Sequence, residues 1–447
     1  MSTASLTDLI PLETNPKPHK IGLVSLGCAK NLVDSEKLMR QLEANHFKLV
    51  FDPSDIRQMD TAIVNTCGFI NDAKQESIDT ILQFVQAKKN NQIRRLYVMG
   101  CLSERYKDQL KTDIPEVDAF FGVNDLEKII RHIGGNWFHE LENERKLSTP
   151  PHYAYLKIAE GCNRKCAFCA IPLIRGKHIS RPFHEVVKEA EMLANAGVKE
   201  INIIAQDTTY YGLDLYKKRR LPELLSTIAQ IKGLEWIRLH YTYPDGFPAE
   251  LLQVINHYPN ICKYIDIPLQ HINDRILKSM HRGVNSGQTR EILNNIRKTI
   301  PDVAIRTTFI VGFPGETEKA FRELKQFIEE EQFDRLGLFT YSHEEGTSAF
   351  KLRNTVPEKI KAERAEELMT IQEAISRKLN EKKLGAILKV IIDRKEGEYY
   401  IARTAVDSPD VDNEVLIRKK DRRINPGSFY QVRVTGIDSF DLYAELQ

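Results

Sequence analysis

The chain has 447 residues, 42% hydrophobic and 28% charged, with a formal net charge of +2, and this length suggests two to four domains. The near-neutral charge argues against a polycation that coats nucleic acid, and the apolar runs are far short of the roughly 20 residues that a membrane span needs. Seven cysteines, an odd number, favour free thiols or metal thiolates in a reducing cytoplasm over a disulfide framework. Residues 1–19 have no secretory signal pattern and are expected to form a disordered tail.

Residues 20–134 are predicted to form an α/β domain around a parallel sheet. The apolar runs "IGLVSL", "TAIVNT" and "RLYVMG" are typical of buried strands, and helical patterns at residues 35–43 and 73–88 lie between them. Each of these strands runs directly into a cysteine, namely Cys28, Cys67 and Cys101. Because ligands of such sheets lie at the carboxyl ends of the strands, we expect the three thiols to meet at one edge.

After a polar linker at residues 135–152, residues 153–357 are predicted to form a second α/β unit. Strand-like stretches alternate here with helical patterns such as those at 184–196, 222–231 and 288–299. The predicted strands are "YLKIAE", "EINIIA", "WIRLHY", "KYIDIP", "IRTTFIV" and "LGLFTY". This alternation predicts a partial (β/α)6 barrel, whose chemistry belongs at the carboxyl ends of its strands.

The last part of the chain changes character. A charged stretch at residues 358–384, without glycine or proline, predicts a connecting helix. Residues 385–447 then alternate β-branched or aromatic residues with polar ones, as in "LKVIID", "EYYIARTA", "EVLI" and "FYQVRVTG". That pattern predicts a small antiparallel β-barrel.

The stretch "EGCNRKCAFCAIP" at residues 160–172 places Cys162, Cys166 and Cys169 in a C-x3-C-x2-C spacing after the first barrel strand. Structural zinc prefers four ligands, and no fourth is evident; His178 is the nearest downstream histidine. A 4Fe-4S cluster held by three thiolates instead leaves one iron without a protein ligand. That iron can bind the amino and carboxylate groups of S-adenosylmethionine (SAM), and an electron from the cluster can then release a deoxyadenosyl radical.

These three cysteines, with Phe168 before the last of them, resemble the signature of radical SAM enzymes. The N-terminal triplet alone is weaker evidence, since buried free cysteines are common. Three cysteines at matching strand ends nevertheless favour a second cluster with an open iron, where sulfur can be held. A radical source beside a sulfur source indicates insertion of sulfur into a C–H bond.

The order of the units resembles the methylthiotransferase family of radical SAM enzymes along nearly the whole chain from residue 20, and the last unit resembles a TRAM domain. Matching stretches are "GCNRKCAFCAIP", "IRGKHISRP", "DIPLQH" and "FIVGFPGETE". The resemblance implies two 4Fe-4S clusters, one on each cysteine triplet, and SAM as both methyl donor and radical source. The protein would mainly position these cofactors and exclude water.

Members of this family modify either an adenosine of transfer RNA or an aspartate of a small-subunit ribosomal protein. The stretch "VSLGCAKNLVDSE" resembles the ribosomal-protein branch, apart from Ala29, where proline is frequent, and it lacks the Gln-Met-Asn pattern of the tRNA branch. The implied product is an aspartate with a methylthio group on its β-carbon. Residues 385–447 carry 10 Lys and Arg against 11 Asp and Glu, whereas an RNA-binding unit should be basic.

Two alternatives stay open at this point. One is a tRNA adenosine 2-methylthiotransferase, and the other is a non-catalytic, zinc-containing protein that binds ribosomes or RNA. The basic stretch "RKKDRR" at residues 418–423 is interpreted as a solvated turn, although it could contact ribosomal RNA; such contact is not expected to dominate binding. The implied partners are the ribosomal protein, free or on the ribosome, and an electron donor such as flavodoxin or ferredoxin.

Several residues after the later barrel strands are candidates for contacts to SAM or substrate, although a role in packing or loop structure is the simpler interpretation for most of them. They are Gln206, Gln270, His271, Arg282, Gly312, Pro314 and Gly315. Cys262 lies within a predicted strand and is expected to be a buried core residue. The scheme requires no general base, and none is assigned.

Overall fold

The computed structural model describes residues 20–419 and 424–447, so the predicted tail and residues 420–423 of the basic stretch lie outside the described residues. The described chain forms a parallel sheet, a six-stranded parallel sheet and a small closed barrel, in the predicted order. The predicted fold class is therefore confirmed. No helix within these ranges is long and apolar enough to cross a membrane.

The first unit has five parallel strands: β1 (Lys20–Ser25), β2 (Lys48–Phe51), β3 (Thr61–Thr66), β4 (Arg95–Gly100) and β5 (Ala119–Phe120). Its helices are α1 (Ala29–Ala44), α2 (Asn71–Lys89), α3 (Cys101–Asp113) and α4 (Leu126–His132). The strand order is β2-β1-β3-β4-β5. Because β1, β3 and β4 are neighbours and run in parallel, their carboxyl ends share one edge of the sheet.

The second unit is built on β6 (Tyr153–Lys157), β7 (Ala159–Glu160), β8 (Ile179–Ser180), β9 (Glu200–Ile204), β10 (Trp236–Leu239), β11 (Ile261–Asp266), β12 (Ala304–Val311) and β13 (Arg335–Thr340). Its helices are α5 (Ile171–Arg175), α6 (Phe183–Asn195), α7 (Leu213–Tyr216), α8 (Leu221–Ile228), α9 (Ala249–His257), α10 (Asp274–Ser279), α11 (Ser286–Thr299) and α12 (Glu318–Glu331). The order β13-β12-β11-β10-β9-β6 gives an open, partial barrel. Its aliphatic core fills the space between the sheet and the surrounding helices.

The first predicted barrel strand is interrupted, so the prediction of one continuous strand is wrong. The pairing of this segment with β9 ends at Ile158, whose carbonyl oxygen accepts a hydrogen bond from Arg181 N at 2.9 Å. The next residues, β7, pair antiparallel with β8. The reason is that the segment after the cysteine loop folds back and offers a second strand partner. This exchange places Glu160 at the entrance of the cysteine loop.

The chain then continues through α13 (Glu358–Glu381) into β14 (Ile387–Glu396), β15 (Tyr399–Thr404), β16 (Val415–Arg418), β17 (Phe429–Ile437) and β18 (Leu442–Leu446). These strands close into a barrel with the order β14-β15-β16-β18-β17. The sequence patterns predicted four of the five strands and missed β18. Pairing is antiparallel as predicted except between β16 and β18, which run parallel.

The small barrel covers the amino ends of the parallel barrel strands. Glu200, which begins β9, accepts hydrogen bonds from Arg403 of β15 at 2.8 Å and from Arg238 at 3.1 Å, and all three side chains are buried. In the loop after β15, Asp412 accepts a hydrogen bond from the hydroxyl of Tyr264 at 2.7 Å. The carboxyl ends of the strands, where the cysteines lie, face the other way.

Candidate active site

The first cysteine triplet lies where three adjacent strands end. Cys28 follows β1, Cys67 follows β3, and Cys101 begins α3 directly after β4. The approach between the loops is close, because a Cβ atom added to Gly27 would lie 2.7 Å from the Cβ atom of Cys67. The topology thus brings together three thiols that are far apart in the sequence.

Asn31 ties these cysteine-bearing segments together. Its Nδ2 atom donates hydrogen bonds to the carbonyl oxygens of Leu26 at 2.9 Å and Thr66 at 3.0 Å. Its Oδ1 atom accepts a hydrogen bond from the Cys101 thiol at 3.5 Å. The side chain is fully buried. Sequence reasoning missed Asn31, although its place one helical turn after Cys28 is a signal that could have found it.

Burial and charge act in opposite directions on these thiols. Burial raises the pKa of Cys67, and it raises the pKa of Cys101 to about 12. Burial acts on Cys28 in the same direction, but the charge of Lys30 and a backbone hydrogen bond from Asn31 outweigh it and lower the pKa of that thiol. Because metal binding requires thiolates, the cation beside Cys28 and the helix N-termini favour the ligating form.

The second triplet occupies the loop between β7 and α5. Gly161 opens this loop with a φ of +73°, and a Cβ atom there would lie 2.1 Å from the carbonyl oxygen of Lys177. Only glycine fits this close approach. The next residue, Cys162, donates its N–H to the carbonyl oxygen of Gly176 at 3.1 Å. The loop therefore folds back onto the segment that follows α5.

The sulfur atoms of this loop lie in a largely buried setting. The hydroxyl of Tyr243 and the Nη1 atom of Arg282 each lie 3.4 Å from the Sγ atom of Cys166. Burial raises the pKa of Cys162 to about 11 and that of Cys169 to about 12. The structure thus places Arg282, a predicted contact, against the cysteine loop itself. Tyr243 was not predicted.

The centre of the cysteine loop is fastened to the barrel. Ala167 donates its N–H to the carbonyl oxygen of Met280 at 2.9 Å and accepts a hydrogen bond from Ala349 N at 2.8 Å. The half-buried Phe168 packs against an apolar cluster that includes Phe313. These contacts give Phe168 a packing role that anchors the loop.

The donor sets fit clusters better than a single ion. Within the described ranges, no group of three Cys, His, Asp or Glu side chains is spaced to hold one metal ion, whereas the ligands of a cubane bind different iron atoms. The nearest downstream histidine, His178, places its Nε2 atom 3.1 Å from Ser180 Oγ and packs against the ring of Tyr210. Cys262 is buried in β11, as predicted for a core residue.

A buried ionic network joins the two triplets. At the end of α5, the Nη2 atom of Arg175 lies 3.5 Å from the Sγ atom of Cys101, and its Nη1 atom lies 3.0 Å from the carboxylate of Glu160. Lys157 pairs with Glu160 at 2.7 Å and also with Asp34 of α1. Breaking a buried ion pair on one side leaves an uncompensated charge, which costs about 3–5 kcal/mol. The network therefore fixes one cysteine site relative to the other.

Gln206 and Gln270 lie after β9 and β11 and carry unpaired acceptors. The Nε2 atom of Gln206 donates to Glu160 at 2.8 Å. The amide oxygens of both glutamines are buried and accept no hydrogen bond from the residues that the structure describes. Gln270 also has a φ of +73°, a backbone conformation that residues other than glycine rarely adopt. Buried acceptors of this kind normally have a partner, so these two are available to N–H or O–H donors of a bound molecule.

The predicted turn "GFPGE" is held by contacts within the turn and with neighbouring segments. Gly312 N donates to the carboxylate of Glu316 at 3.0 Å, and His271 Nε2 lies 3.3 Å from the same carboxylate. Gly315 N donates to the carbonyl oxygen of Asn354 at 3.0 Å. The structure gives His271 and these glycines structural partners, and it places Pro314 between them at the carboxyl end of β12.

Family models match each of the three units. The radical SAM superfamily matches residues 156–328, the uncharacterized protein family UPF0004 matches residues 20–122, and the TRAM domain matches residues 384–446. Two similar solved structures are the radical SAM methyltransferase TsrM from Kitasatospora setae (TM-score 0.53, 13% identity, 72% of this chain and 75% of that chain) and the radical SAM enzyme OxsB (TM-score 0.51, 14% identity, 80% and 56%). At this identity they show the fold alone.

The family model and the cysteine loop define the class of the barrel: residues 156–328 form a radical SAM unit. Two curated relatives, from Phocaeicola vulgatus and Cytophaga hutchinsonii, are each 52% identical over 96% of this chain and over 100% and 98% of their own lengths. Both are ribosomal protein uS12 methylthiotransferases named RimO. The chain belongs to this family of uS12 methylthiotransferases.

Proposed function

We propose that this protein adds a methylthio group to the β-carbon of an aspartate in ribosomal protein uS12. The full-length similarity to uS12 methylthiotransferases is the observation that carries this function. The network around Arg175, which joins the two cysteine sites, supports this activity because the reaction needs its sulfur source and its radical source close together. Neither the tRNA enzyme nor the zinc protein has comparable support.

The six cysteines at the two sites are proposed as cluster ligands. Each triplet would hold one 4Fe-4S cluster, and SAM would bind at the barrel site, near Gln206 and Gln270. When bound, the clusters and SAM supply the electron, the radical, the methyl group and the sulfur that the reaction needs. We also propose that the three units act as separate domains, with boundaries at residues 20–134, 153–357 and 385–447.

The chain's own residues position these groups and exclude water. Val33 and Leu32 at the start of α1 pack against Tyr155 and Ile204 inside the barrel, so the N-terminal unit covers the barrel mouth. The Arg175 network reaches the same helix through Asp34, one residue after Val33. A rigid junction of this kind holds reacting groups in place without a general base.

The partners follow from the chemistry. A one-electron donor of the flavodoxin or ferredoxin type would reduce the barrel cluster, and the reaction would take place in the cytoplasm, where uS12 is made. The nearly balanced charge of residues 385–447, with 10 basic and 11 acidic side chains, supports a protein substrate over an RNA substrate.

Anaerobic turnover tests this function directly. Reconstituted protein is incubated with SAM, a reductant and either a peptide from the aspartate-containing region of uS12 or total tRNA, and the products are analysed by mass spectrometry. We expect the peptide to gain a methylthio group in place of one hydrogen at the aspartate. Modification of tRNA with an unmodified peptide would contradict the proposal. The Cys169→Ala variant is the negative control.

A further inference from the structure

Lys30 is a buried cation between the two cysteine sites. It lies in the first turn of α1, two residues after Cys28, and only 8% of its surface is exposed. Its Nζ atom lies 3.4 Å from the centroid of the Tyr241 ring, which belongs to the barrel. The ammonium group is therefore held at the surface where the N-terminal unit meets the barrel mouth.

The residues that the structure describes give Lys30 no carboxylate partner. The neighbouring cations differ in this respect, because Lys157 and Arg175 share the carboxylates of Asp34 and Glu160. The contact with an aromatic ring only partly offsets the cost of burying an ammonium group. The Cys28 thiolate also acts on Lys30, but that sulfur is a proposed iron ligand and shares its charge with the metal. Because buried charges are normally paired, the position of Lys30 then indicates a further anion that arrives from outside the chain.

The backbone that supports Lys30 is strained. Tyr241 follows β10 at its carboxyl end and has a φ of +56°, an uncommon conformation for a bulky residue. Its N–H donates to the carboxylate of Asp266 at 3.0 Å, which stabilises this conformation. Strained residues of this kind concentrate at binding and catalytic sites. The strain is consistent with an aromatic ring that must be held beneath the ammonium group.

We propose that Lys30 binds the carboxylate of the target aspartate and thereby orients its β-carbon. This inference rests on the proposed function, which supplies an aspartate as substrate. The carboxylate carbon is bonded directly to the β-carbon, so an ion pair at Lys30 fixes the position of the carbon that is modified. It also rejects asparagine, because a neutral amide would leave the buried ammonium group uncompensated.

Peptide binding tests this role separately from turnover. Peptides with aspartate or asparagine at the target position are titrated into reconstituted wild-type protein, Lys30→Met and Lys30→Arg under anaerobic conditions. Lys48→Met, which changes an exposed lysine of the same unit, is the matched control. We expect wild type and Lys48→Met to prefer the aspartate peptide by about tenfold or more. Lys30→Met should lose this preference, and Lys30→Arg should retain part of it.

Other results overturn the inference. Equal binding of both peptides by the wild type shows that no cation recognises the charge, whether or not the variants fold. Retained preference in Lys30→Met, together with weaker SAM binding, assigns Lys30 to the carboxylate of SAM. Retained preference with a shifted reduction potential of the N-terminal cluster makes Lys30 a counterion of that cluster. In each of these cases the wild type can still transfer the methylthio group. A wild type that transfers no methylthio group would instead contradict the proposed function itself.

Discussion

The guanidinium group of Arg175 donates a hydrogen bond of 2.8 Å to the carboxylate of Asp34, and this contact joins the helix after the barrel cysteine loop to the helix that follows Cys28. The two residues are 141 positions apart in the sequence. Both are buried, and Glu160 completes the group. The relative position of the two candidate cluster sites therefore depends on a small set of charges that are largely shielded from solvent.

Replacing Arg175 with leucine should destabilise the protein and abolish methylthio transfer. The substitution leaves the carboxylates of Asp34 and Glu160 to share the single charge of Lys157, and we expect a loss of about 3 kcal/mol in the free energy of unfolding. Chemical denaturation measures this loss. Arg131→Leu is the control, because Arg131 forms only an exposed pair with Glu127. Equal stability of the two variants would show that the network is not a structural link.

Asn31→Ala should release the N-terminal cluster selectively. The side chain holds the segments that carry Cys28, Cys67 and Cys101, so its loss should lower the iron content from about eight to about four atoms per chain. Asn45→Ala is a matched control at the other end of the same helix, where the side chain bonds to Asn136 instead. Full iron content in Asn31→Ala would contradict the role given to this residue.

Glu344 forms a second link between the N-terminal unit and the barrel. It is buried and accepts hydrogen bonds from Arg105 at 2.6 Å and Lys74 at 2.9 Å. Burial raises the pKa of Glu344, but hydrogen bonds from Ser342, Lys74 and Arg105 outweigh it and lower the pKa below its ordinary value of 4.5. The ionised carboxylate therefore stabilises the fold fully above that value, and the stabilisation is lost as the pH falls below it.

The Glu344→Gln variant tests this pH dependence. Its deficit in the free energy of unfolding, relative to the wild type, should be largest near neutral pH and should shrink as the pH falls below 4.5. Denaturation of the cluster-free protein over this pH range measures the difference. Glu345→Gln, at the exposed neighbouring position, should show no such deficit. A deficit that grows toward acid would reverse the assigned sign.

Gly161→Ala should disrupt the barrel cysteine loop. The added methyl carbon would lie 2.1 Å from the carbonyl oxygen of Lys177. The cost of this clash adds to the cost of about 1–2 kcal/mol that a left-handed backbone imposes on alanine. Gly197→Ala is the matched control, because its φ is also positive, at +95°, but no atom lies within 4 Å of the added Cβ. We expect loss of barrel iron only in Gly161→Ala. Equal loss in both variants would implicate the backbone angle instead of the contact.

The strands and the cysteine positions could be predicted because they depend on local patterns. Runs such as that of β3 are apolar and β-branched, and parallel strands place the residues after them at one edge. The partners of those cysteines could not be predicted in this way. Arg175 and Glu344 act through contacts with residues far away in the sequence, and nothing in their own surroundings marks them; only Asn31 has a local signal, its place one helical turn after Cys28.

Two details of the fold could not be predicted from the sequence for similar reasons. The short strand β18 pairs with β16 in parallel, which depends on closure of the small barrel and not on its own pattern. The positive φ angles of Tyr241 and Gln270 are imposed by the barrel, since neither residue type favours them. Both residues lie at the candidate active site, where local preference is most often overruled.

Iron analysis of three proteins tests the central claim most directly. Wild-type protein, a variant with alanine at Cys28, Cys67 and Cys101, and a variant with alanine at Cys162, Cys166 and Cys169 are reconstituted under anaerobic conditions. We predict about eight, four and four irons per chain, with SAM altering the spectrum only where the barrel cysteines are intact. Stoichiometric zinc, or one cluster that needs cysteines from both sites, would contradict the account.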